Sequence, residues 1–425
     1  MKEHIQQTRF SNELTILTDR MHGVRSVTLG FFYRVGARHE PAELNGISHF
    51  IEHTVFKGTS RRSALDIAIE QDRLGGSLDA FTTHEETGFA IKVIDDQLEH
   101  AFDLLADLLT DPQFDESELE SEQRVIIEEM KMLDDSPEEL LGEIFTKEYF
   151  AGHPLGLPIA GTPKSVRTFD HQTTADYHRK VYRPGNLVIT AAGNVEHDVM
   201  VRLAESRLNG LNSSEDVVRP SSPEPSPAAP IVIRRKPDLE QAHVIIATPF
   251  VAATDPRRYA GDLLAGILGG GMSSRLWQKI REERGLAYNV GASPAMFQDC
   301  GVFSIFAGTS PDQTDEVIDI SLDELRCVVK NGVRQAELEL AKAQARASVL
   351  LSLEDSAARS AAMAQSEMVH GRQIPVEETL ANIEAVTTDD VTTIAREFFR
   401  SESIAFGALG DLNGLRVDRD RLKIS

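Results

Sequence analysis

The chain has 425 residues, 41% of them hydrophobic and 26% charged, with 67 acids against 44 bases and a formal net charge of -23. This composition can bury a sizeable core, excludes a disordered chain, and lacks the positive footprint of a general nucleic-acid binder. The length predicts more than one domain, and no apolar run reaches the roughly 18 residues that cross a bilayer.

Met1 to Gln7 carry neither the apolar core of a signal peptide nor the Arg-rich bias of a transit peptide, so a cytoplasmic, bacterial setting is expected. Val27, Leu29, Phe31, Tyr33 and Val35 alternate as in a half-buried strand. A helical stretch follows over roughly Leu44 to Lys57. It contains Gly46-Ile47-Ser48-His49-Phe50-Ile51-Glu52-His53-Thr54. His49 and His53 are four apart, one turn on one helix face, where two imidazoles can hold one Zn²⁺. Glu52 projects from the same side, placed to act as a general base over an open metal position. The pattern is the inverted His-x-x-Glu-His form of the zinc helix. The bland alternative is an amphipathic helix with two surface histidines. The two cysteines, Cys300 and Cys327, cannot form a thiolate site, so a metal here needs His and carboxylate ligands.

Helices are next expected at Ala64 to Leu74, Gln97 to Leu109 and Asp115 to Leu133, with a strand over Phe89, Ile91 and Val93. In the acidic helix, Glu122 and Glu129 lie two turns apart on one face, whereas Glu128 points elsewhere. A solvated Glu-rich helix is the alternative. Val125, Ile126, Ile127 and Met130 instead suggest burial around much of the circumference, where carboxylates need a reason to be. Glu129 is therefore expected as the third metal ligand and Glu122 as the carboxylate that orients a histidine. His39, His84, Cys300 and Cys327 have no assigned role, and Glu85 is a candidate for lining the substrate strand.

Thr173 opens a helical pattern, and a strand from Leu187 to Ala192 ends at Gly193. Five prolines between Pro220 and Pro230 mark a linker. Thr387 then opens a helix, and a strand from Ile404 to Leu409 ends at Gly410, repeating the earlier order at offsets of 214 and 217 residues. Duplication explains this best. The expected organisation is a first half over 1–217, a linker over 218–230 and a homologous half over 231–425. The expected fold is α+β, each half a mostly antiparallel sheet with helices packed on one face. Shifted by those offsets, His49 and His53 fall within residues 263–270, which contain no ligand type, so one zinc per chain is expected.

The motif, with Glu129 lying 76 residues beyond His53 and Glu122 seven before it, resembles the pitrilysin or insulinase (M16) metallopeptidase family. In particular it resembles the short members related to the mitochondrial processing peptidase β subunit. The resemblance covers nearly the whole chain. It implies a zinc endopeptidase in which Glu52 takes a proton from a metal-activated water. It implies that Asp79, Ala80, Phe81 and Thr82 form an edge strand binding substrate main chain, although the family commonly has Asn where Asp79 stands. It also implies that Arg281 and Tyr288, seven apart, contact substrate and steady the oxyanion. Without the family, the segment around Gly269–Gly271 and Arg281 reads as a flexible loop and a helix end with surface arginines. The family's short chains pair, so the resemblance implies a homodimer with Arg281 and Tyr288 serving the opposite chain's zinc site. Expected substrates are unfolded oligopeptides, basic or presequence-like ones among them. The alternative is a non-catalytic scaffold subunit. No nucleic-acid or membrane partner is expected.

Overall fold

The structure, a computed structural model, describes residues 4–208, 224–412 and 414–424. Part of the expected linker, 218–223, lies outside them, and residues 224–230 form neither helix nor strand.

In chain order the first part gives strands β1 (Ile5–Arg9), β2 (Thr15–Arg20) and β3 (Ser26–Tyr33), then helices α1 (Ile47–Thr54) and α2 (Ala64–Leu74). Strands β4 (Ser77–Thr82) and β5 (Thr87–Ile94) follow, then helices α3 (Leu98–Thr110), α4 (Glu116–Asp134), α5 (Pro137–Tyr149), α6 (Pro163–Val166) and α7 (His171–Val181). Strand β6 (Leu187–Gly193) and helix α8 (His197–Leu208) end this part. The second part begins with β7 (Ile231–Arg235), β8 (Ala242–Phe250), α9 (Arg258–Gly269), β9 (Ala287–Met296) and β10 (Gly301–Thr309). It ends with α10 (Thr314–Asn331), α11 (Gln335–Ser352), α12 (Ser356–His370), α13 (Val376–Ala385), α14 (Thr388–Phe398) and β11 (Ala405–Gly410).

The fold is α+β with two sheets of matching topology, ordered β1-β2-β6-β3-β5-β4 and β7-β11-β8-β10-β9. In each, one pair is parallel, β2 with β6 and β7 with β11, and the remaining pairs are antiparallel. The shared order supports the duplication read from the sequence.

The compact units cut across the expected halves. The described residues of one unit fall within Met1–Met130, Leu157–Pro223 and Leu350–Pro375, and those of the other within Lys131–Gly156, Glu224–Val349 and Val376–Ser425. Each half of the chain therefore lends a helix to the other half's sheet. In the first unit, Val27, Leu29, Phe31 and Ile189 point into a core with α1, α3 and α8. The alternate residues face α12. Thr28 Oγ1 meets Ser356 Oγ at 2.7 Å, Thr190 Oγ1 meets Ser360 Oγ at 2.6 Å, and the buried Arg359 guanidinium pairs with Asp19 at 2.5 Å. In the second unit, Val244, Ile246, Phe303 and Phe406 join the core with α9, α10 and α14. Ala247 and Ala405 on the other face pack against Phe145 and Tyr149 of α5. Helices thus cover both faces of each sheet, where one face was expected. That accounts for β3 and β6 being buried along almost their whole length.

Local boundaries also differ in two places. The stretch 44–57 is not one helix, because Gly46 sits at φ 97° and starts α1 afresh at Ile47. The helix expected from Thr173 begins earlier, since Asp170 caps it by accepting the Thr173 N–H at 2.8 Å. Thr387 caps α14 as expected, in a reciprocal pair with Asp390.

Candidate metal centre

Helix α1 is short, and three features fix it. Gly46 adopts a left-handed conformation that a side chain resists, and a Cβ there would stand 2.6 Å from the Ala160 carbonyl oxygen. The buried Glu40 carboxyl accepts the N–H groups of Gly46 and Ser48, each at 2.7 Å, at the end where helical N–H groups lack partners. Burial pushes Glu40 up to about 7 against the pull of those donors. Ile47, Phe50 and Ile51 anchor one face in the core. The opposite face then presents His49 and His53, with ring centroids 4.6 Å apart.

Helix α4 brings the third group. Glu129 Oε2 lies 4.0 Å from His49 Nε2 and 3.7 Å from His53 Nε2. One ligand atom from each of the three residues lies within 4.8 Å of the others. Two ligands about 2.0–2.1 Å from one zinc at a near-tetrahedral angle stand about 3.4 Å apart, so the cluster needs only a small contraction to close on an ion. An imidazole–imidazole–carboxylate donor set suits zinc. Among the described residues no other group of three His, Cys, Asp or Glu converges in this way. In the second unit, α9 instead buries Leu263, Leu264, Ile267 and Leu268.

Partners around the cluster set its charge states. Glu122 Oε1 accepts from His53 Nδ1 at 2.9 Å, and Lys57 Nζ donates to Glu122 Oε2 at 2.6 Å. Burial raises the Glu122 carboxyl, but His53 and Lys57 together hold it below its ordinary value. Burial also works against charge on His53, yet Glu122, Glu52 and Glu129 outweigh it and lift the imidazole above its usual range. His49 is pushed down to about 4 by burial and by His53. Its Nδ1 is buried without a hydrogen-bond partner, so His49 enters the cluster neutral. Glu52 is 8% exposed, and burial raises its carboxyl. The Thr82 hydroxyl donates to Glu52 Oε2 at 2.7 Å and offsets part of that rise.

The other expected residues divide between the units. Asp79, Ala80, Phe81 and Thr82 lie on β4, at the edge of the first sheet, and Ser77 Oγ donates to Asp79 at 3.2 Å. Arg281 and Tyr288 belong to the second unit, where the guanidinium carbon lies 4.6 Å from the Tyr288 ring centroid. Val125 is 49% exposed, so α4 is less enclosed than its apolar residues suggested; Leu119, Glu122 and Ile126 are its buried positions. Glu85 pairs with Arg38 at 2.5 Å. His39 Nδ1 accepts from the Gly36 N–H, and His84 Nε2 donates to the Leu157 carbonyl. The Cys327 thiol accepts from Arg275 and Asn331, and neither Cys327 nor Cys300 forms a disulfide. The roles of Lys57 and Glu40 were missed. Lys57 stands four after His53, a spacing that could have flagged it, but nothing local links Glu40 to Gly46.

The family model described as insulinase (peptidase family M16) matches residues 15–163, which contain the whole metal cluster. The model described as the peptidase M16 inactive domain matches residues 168–345. The chain belongs to the M16 peptidase family. It is 38% identical over 97% of its length to an uncharacterized zinc protease of Streptomyces coelicolor, covering 92% of that protein. It is 33% identical over 94% of its length to the uncharacterized zinc protease YmxG of Bacillus subtilis, covering 96% of it. Among solved structures, a protease from Helicobacter pylori shares the fold at a TM-score of 0.88 and 22% identity, over 96% of this chain and 100% of that one. A peptidase M16 inactive domain from Pseudomonas fluorescens does so at 0.89 and 20%, over 96% and 98%. A chain of complex III2 from Candida albicans does so at 0.84 and 21%, over 98% and 99%. In this M16 chain the metal cluster lies in the segment matched by the insulinase model. Arg281 and Tyr288 lie in the segment matched by the inactive-domain model. No described helix is long and apolar enough to cross a membrane.

Proposed function

We propose that this chain is a zinc-dependent endopeptidase that hydrolyses unfolded oligopeptides. The observation that carries this reading is the convergence of His49, His53 and Glu129 beside the buried carboxyl of Glu52. His49 Nε2, His53 Nε2 and Glu129 Oε2 would hold one zinc per chain. When bound, the ion supplies Lewis-acid polarisation of water and of the scissile carbonyl.

The chain's own residues do the rest. Glu52 takes the proton of the attacking water and passes it to the leaving amine. Thr82 holds one Glu52 oxygen and leaves Oε1 for that transfer. Burial raises the proton affinity of Glu52, which suits a group that must accept and then release a proton. The outer edge of β4 takes an extended peptide as an added strand, with Asp79, Ala80, Phe81 and Thr82 reading main chain more than side chains. In a homodimer, Arg281 and Tyr288 of one chain serve the zinc site of the other, where Tyr288 donates to the developing oxyanion. The net charge of -23 favours basic peptides, presequence-like ones included. General oligopeptide clearance in the cytoplasm is the preferred role.

A second reading, a scaffold subunit without activity, draws on the same fold in a chain of complex III2. The intact ligand set and the base favour the catalyst. Mixing Glu52→Gln chains with Tyr288→Phe chains tests the shared site. Mixed dimers should regain one working site and roughly a quarter to half of native activity, depending on exchange. Two inactive variants that stay inactive when mixed, although they exchange subunits, would rule out sharing in trans.

A further inference from the structure

We propose that Trp277 is a positioning residue that presets Arg281 and Tyr288 for substrate. This rests on the reading that those two residues contact the peptide. Trp277 is the single tryptophan of the sequence. It opens a π-helical turn, Trp277–Glu282, in which the Glu283 N–H bonds the Gln278 carbonyl at 2.9 Å. Such turns are rare and frequently mark functional sites.

The turn stacks three groups. The Arg281 guanidinium carbon lies over the indole at 4.1 Å from its centroid and over the Tyr288 ring at 4.6 Å. The indole Nε1–H donates to Glu282 Oε1 at 3.0 Å, and the same oxygen stands 4.0 Å from Arg281 Nε. One carboxylate therefore sets the plane of the indole and adds charge beside the guanidinium.

The chain then reverses. Gly285 at φ 64° and the Leu286 N–H bond to the Ile280 carbonyl at 2.8 Å bring Tyr288 back over Arg281. Trp277 is half-buried against the core of the second unit, but core packing does not hold the rest of the stack: of the turn's residues only Ile280 is buried, and Tyr288 is 78% exposed. The Arg281 side chain is 30% exposed. An arginine near the surface ordinarily samples many rotamers, and holding it still before substrate arrives removes that ordering from the reaction barrier. With aromatic rings against the guanidinium, its N–H groups are what remains for an oxygen ligand such as a peptide carbonyl or carboxylate.

Chemical rescue tests this. Arg281→Ala should lose most peptidase activity. Added guanidinium ion should restore part of it and shift the Trp277 fluorescence as it fills the space against the indole. In the Arg281→Ala, Trp277→Leu double variant the rescue should vanish. Trp277→Leu alone should lower kcat about tenfold with little change in KM, while Trp277→Phe, which keeps a ring face, should stay near native. If Trp277→Leu does not fold, Trp277→Met against Trp277→Phe carries the same comparison, since only Phe offers a ring. An Arg281→Ala chain with full activity would overturn the reading of Arg281 as a substrate contact. An impaired Arg281→Ala chain beside a fully active Trp277→Leu chain, or guanidinium rescue that persists without the indole, would overturn the role of Trp277 alone.

Discussion

Replacing Glu122 with Gln should weaken zinc binding and leave the fold in place. The Glu122 carboxylate, 6% exposed, accepts from His53 Nδ1 at 2.9 Å and from Lys57 at 2.6 Å. That bond keeps the proton on Nδ1 and leaves Nε2 as the ligand atom, and the negative charge makes Nε2 more basic. Partners of this kind are worth about 10–100-fold in metal affinity, or ~1.4–2.7 kcal/mol. Gln keeps a carbonyl acceptor, so a loss of about tenfold is expected. Lys57 is one-third exposed and can turn to solvent at little cost. The sign with pH follows from His53. Its imidazole is held above the ordinary value, and zinc must displace its proton, so affinity falls as pH falls through the His53 range. In the Gln variant the proton is held less tightly as well. The deficit should therefore be largest at about pH 8 and smaller at about pH 6. Competition titration against a chromophoric chelator measures it, with the metal-free melting curve as the fold control. A Gln variant that binds zinc as tightly as the native chain at about pH 8, with an unchanged melt, would refute the role given to Glu122.

Two further outcomes follow from the same geometry. Thr82→Val removes the donor to Glu52 and should raise a carboxyl that burial already raises. Because the base acts ionised, the acid limb of kcat/KM should move to higher pH, and Thr82→Ser should move it back; a pH–rate series reads both. Phe145→Ala empties a buried position packed on Tyr149, with ring centroids 5.4 Å apart, and should destabilise the second unit by about 3–5 kcal/mol in urea unfolding.

The convergence of the candidate metal ligands was legible because helical periodicity does the placing. Residues 49 and 53 share a face on any helix, as do 122 and 129, and the structure brings these faces together. The duplication was legible for a related reason, since a helix start followed by a strand ending at glycine recurs in order in both halves, although the first of those helices is capped by Asp170 and not opened at Thr173. The exchange of α5 and α12 was not. The buried face of α12 carries Ser356, Arg359, Ser360 and Glu367, which reads as a solvated face, and nothing in the residues of either helix says which sheet it covers. Their partners, Asp19 for Arg359 and Ala247 for Phe145, are hundreds or about a hundred residues away in sequence. The break at Gly46 was missed because Leu44 to Lys57 reads as continuous helical pattern. The glycine's positive φ goes with a close approach of the Ala160 and Gly161 backbone, more than a hundred residues away in sequence. The bond from Thr82 to Glu52 was invisible for the same kind of reason. Sequence placed Thr82 on a strand and Glu52 on a helix, and only their packing joins them.

The most direct test of the central claim measures zinc content and hydrolysis of a quenched oligopeptide, on the native chain and on Glu52→Gln side by side. The account predicts near one zinc per chain in both and hydrolysis by the native chain alone. Neither protein binding zinc would contradict the ligand set of His49, His53 and Glu129. A Glu52→Gln chain that turns over substrate at the native rate would contradict the base.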